Sequence, residues 1–420
     1  MIISEYKLAR LYGNNRTVLK EEAQRYSRLH SLFVNHFGEN KKTLFFSSPG
    51  RIELSGNHTD HNNGLALSAA VNLDTIAAVG KSDNGMVEIV SEGFPESFVV
   101  NLNHLEFNEK EQGTSTALIK GIASAFVKAD YSIGGFKAVV LSNVGVGSGL
   151  SSSASFEVLI ASIFNKLYNH DNVNEMEIAK ICQFAENEFF GKPCGLLDQI
   201  AIVYGGINAI DFKDAHNPVV TSLDFDFDST DYTLSIVKTG RSHEDLTEEY
   251  AAIPNEMKAI ARFFGKETCR EISEDMLLNN IKNLRNEVSD RAILRAFHFL
   301  DENERVKNQV KALQEENVEK FLTNVKASGS SSVKLLQNIF NPKNPSRQEV
   351  NLALTLTERF LAGRGVCRVH GGGFGGAILV ILQRNMIEEF KKFIEEIFGE
   401  DSFIKVSVRS QGVFSFDTNT

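Results

Sequence analysis

The sequence predicts an α+β protein built from two domains, on three observations. The chain has 420 residues, more than one hydrophobic core ordinarily organises. Strand-like and helix-like segments mix in both halves without the regular βαβ alternation of a doubly wound sheet. A polar, acidic, turn-rich stretch at 217–232 (NPVVTSLDFDFDSTDY) interrupts the middle, and the expected division is 1–215 and 216–420.

In chain order, residues 17–37 carry helical spacing, with Leu19, Ala23, Tyr26 and Leu29 on one face. Strand-like runs follow at 66–79, 87–90 and 135–141. A glycine- and serine-rich loop at 143–153 leads into the clearest helix, where Phe156, Leu159, Ile160, Ile163, Phe164 and Leu167 repeat at helical spacing. A second helix is expected over 175–190, and long charged helices near 245–263 and 290–316. Ser346 with Glu349 has the spacing of a capping box. The run AILVIL at 377–382 reads as a strand, and 385–398 as a last helix opened by Asn385.

Hydrophobic residues at 42% and charged residues at 23% are ordinary for a globular protein. The net charge of −10 disfavours nucleic acid and anionic lipid as general partners. Four cysteines, none in C-x-x-C spacing, read as reduced thiols. No apolar run reaches membrane-spanning length, and the N-terminus lacks the apolar stretch of a signal peptide. A cytoplasmic monomer is expected.

Four segments carry chemistry. The first glycine loop, Val144 to Ala154, joins a strand to a helix; Gly145, Gly147 and Gly149 allow close backbone approach, and the helix N-terminus favours an anion. It describes a phosphate cradle, but no lysine follows the glycines, so it is not a Walker A loop. The second glycine run, Gly371 to Gly376, matches G-x-G-x-x-G formally, yet a strand follows it where a dinucleotide fold needs a helix. The third segment, Gly50 to Gly64, concentrates Arg51, His58, Asp60 and His61 on turns, a density of donors and acceptors suited to a sugar. The fourth sets Asp198 in the apolar run GLLDQI, where a carboxylate needs a partner.

Taken together and in order, the segments SPGRIELSGNHTDHNNG, GVGSGLSSSASFEV, AENEFFGKPCGLLDQ and RVHGGGFGG resemble the galactokinase branch of the GHMP kinase superfamily, from about residue 47 to residue 380. The resemblance implies a two-domain GHMP-kinase-like fold with the active site in the cleft between the domains. It implies phosphoryl transfer from ATP to the anomeric hydroxyl of a galactose-like sugar, with Mg²⁺. Asp198 and Arg51 would be catalytic. Asn57, His58, Thr59, Asp60, Gly195 and Tyr250 (in HEDLTEEY) would contact the sugar. Gly145, Gly147, Ser148, Gly149, Leu150, Ser151, Ser152 and Ser153 would wrap the ATP phosphates, with Ser91 at the nucleotide pocket. Ser153 and Glu186 would bind the metal.

The sequence departs from the signature G-R-x-N-x-I-G-E-H-T-D-Y-N-x-G and its companion motifs in several places. Glu53 stands for Asn, Asn57 for Glu, His61 for Tyr, and His370 for a common Thr. These departures question the substrate more than the reaction. The alternatives are an anomeric kinase for a related sugar such as galacturonate or an amino sugar, and a non-catalytic galactose sensor, against which the complete GLSSSAS loop and Asp198 both argue.

Overall fold

A twelve-residue strand beginning at Leu44 carries the start of the third chemical segment into the centre of the molecule. In this computed structural model the described residues are 4–40, 42–94, 96–145, 147–240 and 246–417. The elements are α1 Glu5–Tyr12, α2 Arg16–Phe37, β1 Leu44–Ser55, β2 Leu65–Lys81, β3 Met86–Ser91, β4 Phe98–Asn101, α3 Ser115–Lys128, β5 Phe136–Ser142, α4 Ser152–Tyr168, α5 Glu175–Phe184, α6 Leu197–Tyr204, β6 Ile207–Asp211 and β7 Val219–Leu223. They continue as β8 Tyr232–Lys238, α7 Thr247–Phe263, α8 Glu274–Glu287, α9 Asp290–Gln314, α10 Val318–Ser331, α11 Glu349–Leu361, β9 Gly365–His370, β10 Ala377–Gln383, α12 Ile387–Phe398, β11 Phe403–Val406 and β12 Phe414–Asp417.

The larger sheet has the order β12-β1-β2-β5-β3-β4, with β6 on β2 and β7 on β6. Its pairs are antiparallel except β3 with β5. One face packs on α3 to α6 through Ile119, Ile122, Leu159, Ile163 and Ile200. The other carries α1 and α2 through Leu8, Tyr26, Leu29 and Phe33. Asp74, fully buried in β2, pins that second layer: it bonds Arg25 at 2.6 Å, Arg409 at 3.1 Å and the Tyr12 hydroxyl at 2.6 Å.

The smaller sheet is antiparallel, in the order β11-β8-β10-β9. Its central strand reads AILVIL because both faces are covered. Leu379 and Ile381 point toward α9 and α10 and the ends of β1 and β2. Ile378, Val380 and Leu382 point toward α11 and α12. The architecture is the expected mixture of helix and sheet. The β6–β7 hairpin spans residue 215, and β12 returns from the C-terminal end to pair with β1. The two sheets are therefore interleaved in sequence.

Two local expectations are corrected. No capping box forms at Ser346, whose hydroxyl bonds Asn344 while α11 starts from Gln348. Asn385 lies within a 3₁₀ turn, Arg384–Met386, that precedes α12. The expected helix over 175–190 is α at first and widens to a π-turn at Ala185–Phe190. All four cysteines are free. Among the described residues, no helix is long and apolar enough to cross a membrane.

Candidate active site

Arg51, in the interior of β1, and Asp198, in the first turn of α6, meet at the centre of the site. Nε donates to Oδ1 at 2.6 Å and Nη2 to Oδ2 at 2.8 Å, a two-pronged pair. Nη1 donates to the Gly149 carbonyl, and the Arg51 amide to the Leu150 carbonyl at 3.0 Å. Ser151 donates its hydroxyl to Asp198 Oδ2. Burial raises the Asp198 carboxyl, but the Arg51 charge and the hydrogen bonds from Arg51 and Ser151 outweigh it and hold it below its ordinary value. Its position at a helix N-terminus acts in the same direction. The Asp198 side chain remains 34% exposed, so a substrate can reach it.

The first glycine loop packs on the second. Gly149 has φ 77°, and a Cβ there would lie 2.8 Å from His370 Nδ1, so only glycine fits. Ser148 is buried and its hydroxyl bonds the Gly145 carbonyl. Ser151 takes a left-handed conformation just before α4, and Ser152 and Ser153 form its first turn, half-buried. Ser91 ends β3 opposite Val140 of β5, the strand that feeds this loop.

Glu186 sits in the π-turn, 3% exposed. The Gln199 amide donates to Glu186 Oε2 at 3.1 Å and to Glu157 Oε2 at 3.2 Å. Glu157 Oε1 is buried without a partner. Burial first, and repulsion from Glu186 second, push the Glu157 carboxyl well up. The Lys192 ammonium lies 3.1 Å from Glu186 Oε1. Two close carboxylates, one with an orphaned oxygen and one already holding a cationic group, fit a divalent cation whose remaining ligands come from phosphate and water. Among the described residues, no cluster of three or more acidic, histidine or cysteine side chains forms a complete metal cage.

The turn between β1 and β2 holds the third segment. Asp60 Oδ1 accepts from the His61 amide at 3.0 Å, and its other oxygen would lie 1.9 Å from a Cβ on residue 195. Gly195 is therefore glycine because Asp60 occupies the space of a side chain. His58 Nε2 lies 2.8 Å from the Gly372 carbonyl. Burial pulls its pKa down to about 4, so the ring is neutral and donates that bond. Tyr250 donates to the Gly373 carbonyl at 2.9 Å, with its ring 6.4 Å from that of His58. Residues 243–245 of the HEDLTEEY segment lie outside the described residues. A cavity of about 610 Å³ opens beside Asp60, His61 and Gly195, with Lys258, Arg262 and Lys266 on its outer wall.

Two residues expected at the sugar are placed differently. Thr59 is fully buried, and its hydroxyl lies 2.9 Å from the Gly56 carbonyl and 2.6 Å from that of Leu65, stapling the turn. Asn57 is 1% exposed. Its Nδ2 donates to Glu53 Oε1 at 2.9 Å and to the Gly371 carbonyl at 2.8 Å, and its Oδ1 accepts from Asn338 at 2.8 Å.

The residues that sequence reasoning missed lie behind these. Glu302 of α9, fully buried, accepts from the Ser55 hydroxyl at 2.9 Å, the Gly56 amide at 3.0 Å and Arg305 at 2.6 Å. His298 bonds the Asn57 carbonyl at 2.9 Å. A signal existed: Arg295, His298, Glu302 and Gln309 share one stripe of α9, but such a stripe also fits a solvated face.

Two glycine loops, a helix N-terminus and an arginine-held aspartate in this fold define a GHMP-type small-molecule kinase. Residues 117–206 match the GHMP kinases N terminal domain, and residues 31–81 the galactokinase galactose-binding signature. The galactokinase of Streptococcus suis is 31% identical over 389 residues, covering 89% of this chain and 93% of the relative. That of Pyrococcus furiosus is 30% identical over 338 residues, covering 80% and 88%. The crystal structure of Lactococcus lactis galactokinase complexed with galactose superposes with a TM-score of 0.80 at 25% identity, over 93% of this chain and 99% of the other. Methanococcus jannaschii mevalonate kinase shares the fold, with a TM-score of 0.62 at 18% identity over 88% and 99%. The chain belongs to the galactokinase family.

Proposed function

We propose that the chain transfers the γ-phosphoryl group of ATP to the C1 hydroxyl of D-galactose, giving galactose 1-phosphate and ADP. The observation that carries this reading is the Arg51–Asp198 pair, set where the sugar turn, the phosphate loop and the second glycine loop converge.

Phosphoryl transfer needs alignment and charge neutralisation more than covalent help. Asp198, kept ionised by Arg51, accepts a hydrogen bond from the C1 hydroxyl and orients it. A carboxylate held this low is a weak base, so the proton moves to it only as the new O–P bond forms. Arg51, already against the Gly149 carbonyl, faces the transferring group and offsets its charge. Amides of Gly147 to Ser153 and the α4 N-terminus cradle the phosphates, with Ser91 at the nucleotide's edge. Asp60, His58, Gly195 and Tyr250 line the sugar.

Ser153 and Glu186, with the free oxygen of Glu157, would hold Mg²⁺. Bound there, the ion would neutralise charge on the phosphates. The chain works as a cytoplasmic monomer, with residues 1–215 and 216–420 as the halves whose meeting surface carries the site.

One observation favours a second acceptor class, a hexose bearing an anionic group such as galacturonate. Among the described residues, Lys258 and Arg262 line the cavity without an ion pair. The test of both readings is ADP release measured against a panel of neutral hexoses, uronic acids and amino sugars. No turnover with any sugar would remove the reading.

A further inference from the structure

Three of the departures from the family pattern, Glu53, Asn57 and His370, are joined through Glu53. Asn57 donates to Glu53 Oε1 at 2.9 Å, and the Glu53 amide donates to His370 Nε2 at 3.2 Å. Glu53 and Asn57 are also a reciprocal exchange, since the signature has Asn at the first position and Glu at the second.

We propose that Glu53, Asn57 and His370 act as one positioning unit that clamps the sugar turn onto the second glycine loop. Residue 57 thereby governs sugar binding through the turn rather than by contact with the sugar.

The geometry leaves each member one role. Glu53 is 7% exposed and its Oε1 receives both the Asn57 amide and Arg368 Nη2, the latter at 2.8 Å; Arg368 is fully buried. The carboxylate therefore matches a buried guanidinium that no other side-chain acid contacts among the described residues. Asn57 reaches Gly371 and Asn338 from the same amide, so its donors and its carbonyl are engaged inside the protein. His370 is 2% exposed, and it must be neutral with Nε2 unprotonated to accept the Glu53 amide. Burial, with Arg51 and Arg368 nearby, favours that neutral form. The next residue after Asn57 is His58, which bonds Gly372, and Asp60 follows two positions later. A shift of the clamp moves both.

Single exchanges should therefore fail where the paired exchange succeeds. Asn57→Glu sets a second carboxylate against Glu53 with one arginine to share, and against the Gly371 carbonyl. Glu53→Asn leaves Arg368 buried without a carboxylate. Together, Glu53→Asn with Asn57→Glu restores one acid and one amide.

The proposal rests on the sugar-kinase reading for its kinetic readout. The experiment measures kcat and KM for D-galactose and for ATP in the natural protein, the two single variants and the double variant, with Glu53→Gln and Asn57→Ala as milder forms. Each single exchange is expected to lower kcat/KM for the sugar about 30-fold or more, mostly through sugar KM, with the KM for ATP unchanged. The double variant is expected to recover to within about 5-fold of the natural protein. A merely structural role would reduce kcat and leave both KM values in place, which overturns the proposal. So does a double variant whose loss equals the product of the singles. If the natural protein turns over no sugar, the function reading fails; the cycle is then read from thermal unfolding, where the same non-additivity is expected and additivity overturns it.

Discussion

Arg51 holds Asp198 through two parallel hydrogen bonds of 2.6 and 2.8 Å, from Nε and Nη2 along one edge of the guanidinium. The pair links β1 to the first turn of α6 through two residues 147 positions apart in sequence. Lysine cannot reproduce that fork. Arg51→Lys is expected to lower kcat about 10²-fold with the fold retained. Since Asp198 sits below its ordinary 3.8, the acid limb it contributes to kcat/KM lies below that value. Arg51→Gln removes the neighbouring charge and should move the limb upward. A pH–rate profile in which the limb does not move contradicts the pairing as the cause.

The carboxylate pocket predicts the metal response. Ser153→Ala and Glu186→Ala should each raise the Mg²⁺ concentration needed for half-maximal activity, since both are proposed to supply oxygen to a hard cation. Glu157→Gln should do the same more weakly. Activity titrated with Mg²⁺ at saturating ATP checks this. Unchanged titrations in all three variants place the ion elsewhere.

Glu302 predicts an acid-sensitive anchor for the sugar turn. Burial alone would raise its pKa, but His298, Arg368 and Arg305, with the Ser328 hydroxyl, outweigh it and bring it down to about 2 from an ordinary 4.5. A carboxyl lowered on folding contributes its full stability above 4.5 and loses it as pH falls through about 2. Glu302→Gln should therefore cost about 3 kcal/mol at neutral pH and flatten the decline across that window. Denaturant unfolding from pH 7 to pH 2 measures it. A variant that keeps the natural slope would show that another group carries the dependence.

Asp74 makes the corresponding claim for the opposite face of the large sheet. Asp74→Asn leaves Arg409 and Arg25 facing a neutral amide in a buried site, at an expected cost of about 3 kcal/mol. Activity per folded molecule should not change, because α1 and α2 lie away from the catalytic pair. Thermal unfolding and active-site titration together decide this.

What the sequence revealed follows what each signal depends on. Strand AILVIL, the amphipathic α4 and the glycine loops were legible because local period and composition set them. Asp198 stood out as a charge in an apolar run. The Arg51–Asp198 contact itself was reached only through family resemblance, since no local pattern reports a partner 147 residues away. Asn57 and Thr59 were assigned to the sugar through the family resemblance, which reports position in a motif and not the direction a side chain takes. Here the turn folds inward and uses them on Gly371, Gly56 and Leu65. Glu302 and Arg368 escaped notice because their charges are buried by tertiary packing that no window of sequence contains. The interleaving of the sheets was equally invisible, as β12 pairs with β1 across most of the chain.

The most direct test of the central claim is ADP release with D-galactose by the natural protein and by Asp198→Asn, each shown folded by circular dichroism. Asp198→Asn keeps the size of the side chain but removes the charge that Arg51 holds and that is proposed to orient the C1 hydroxyl. Galactose-dependent ADP release is expected from the natural protein, with a loss on the order of 10²-fold or more in kcat for the variant. Near-natural turnover by a folded Asp198→Asn protein would contradict it.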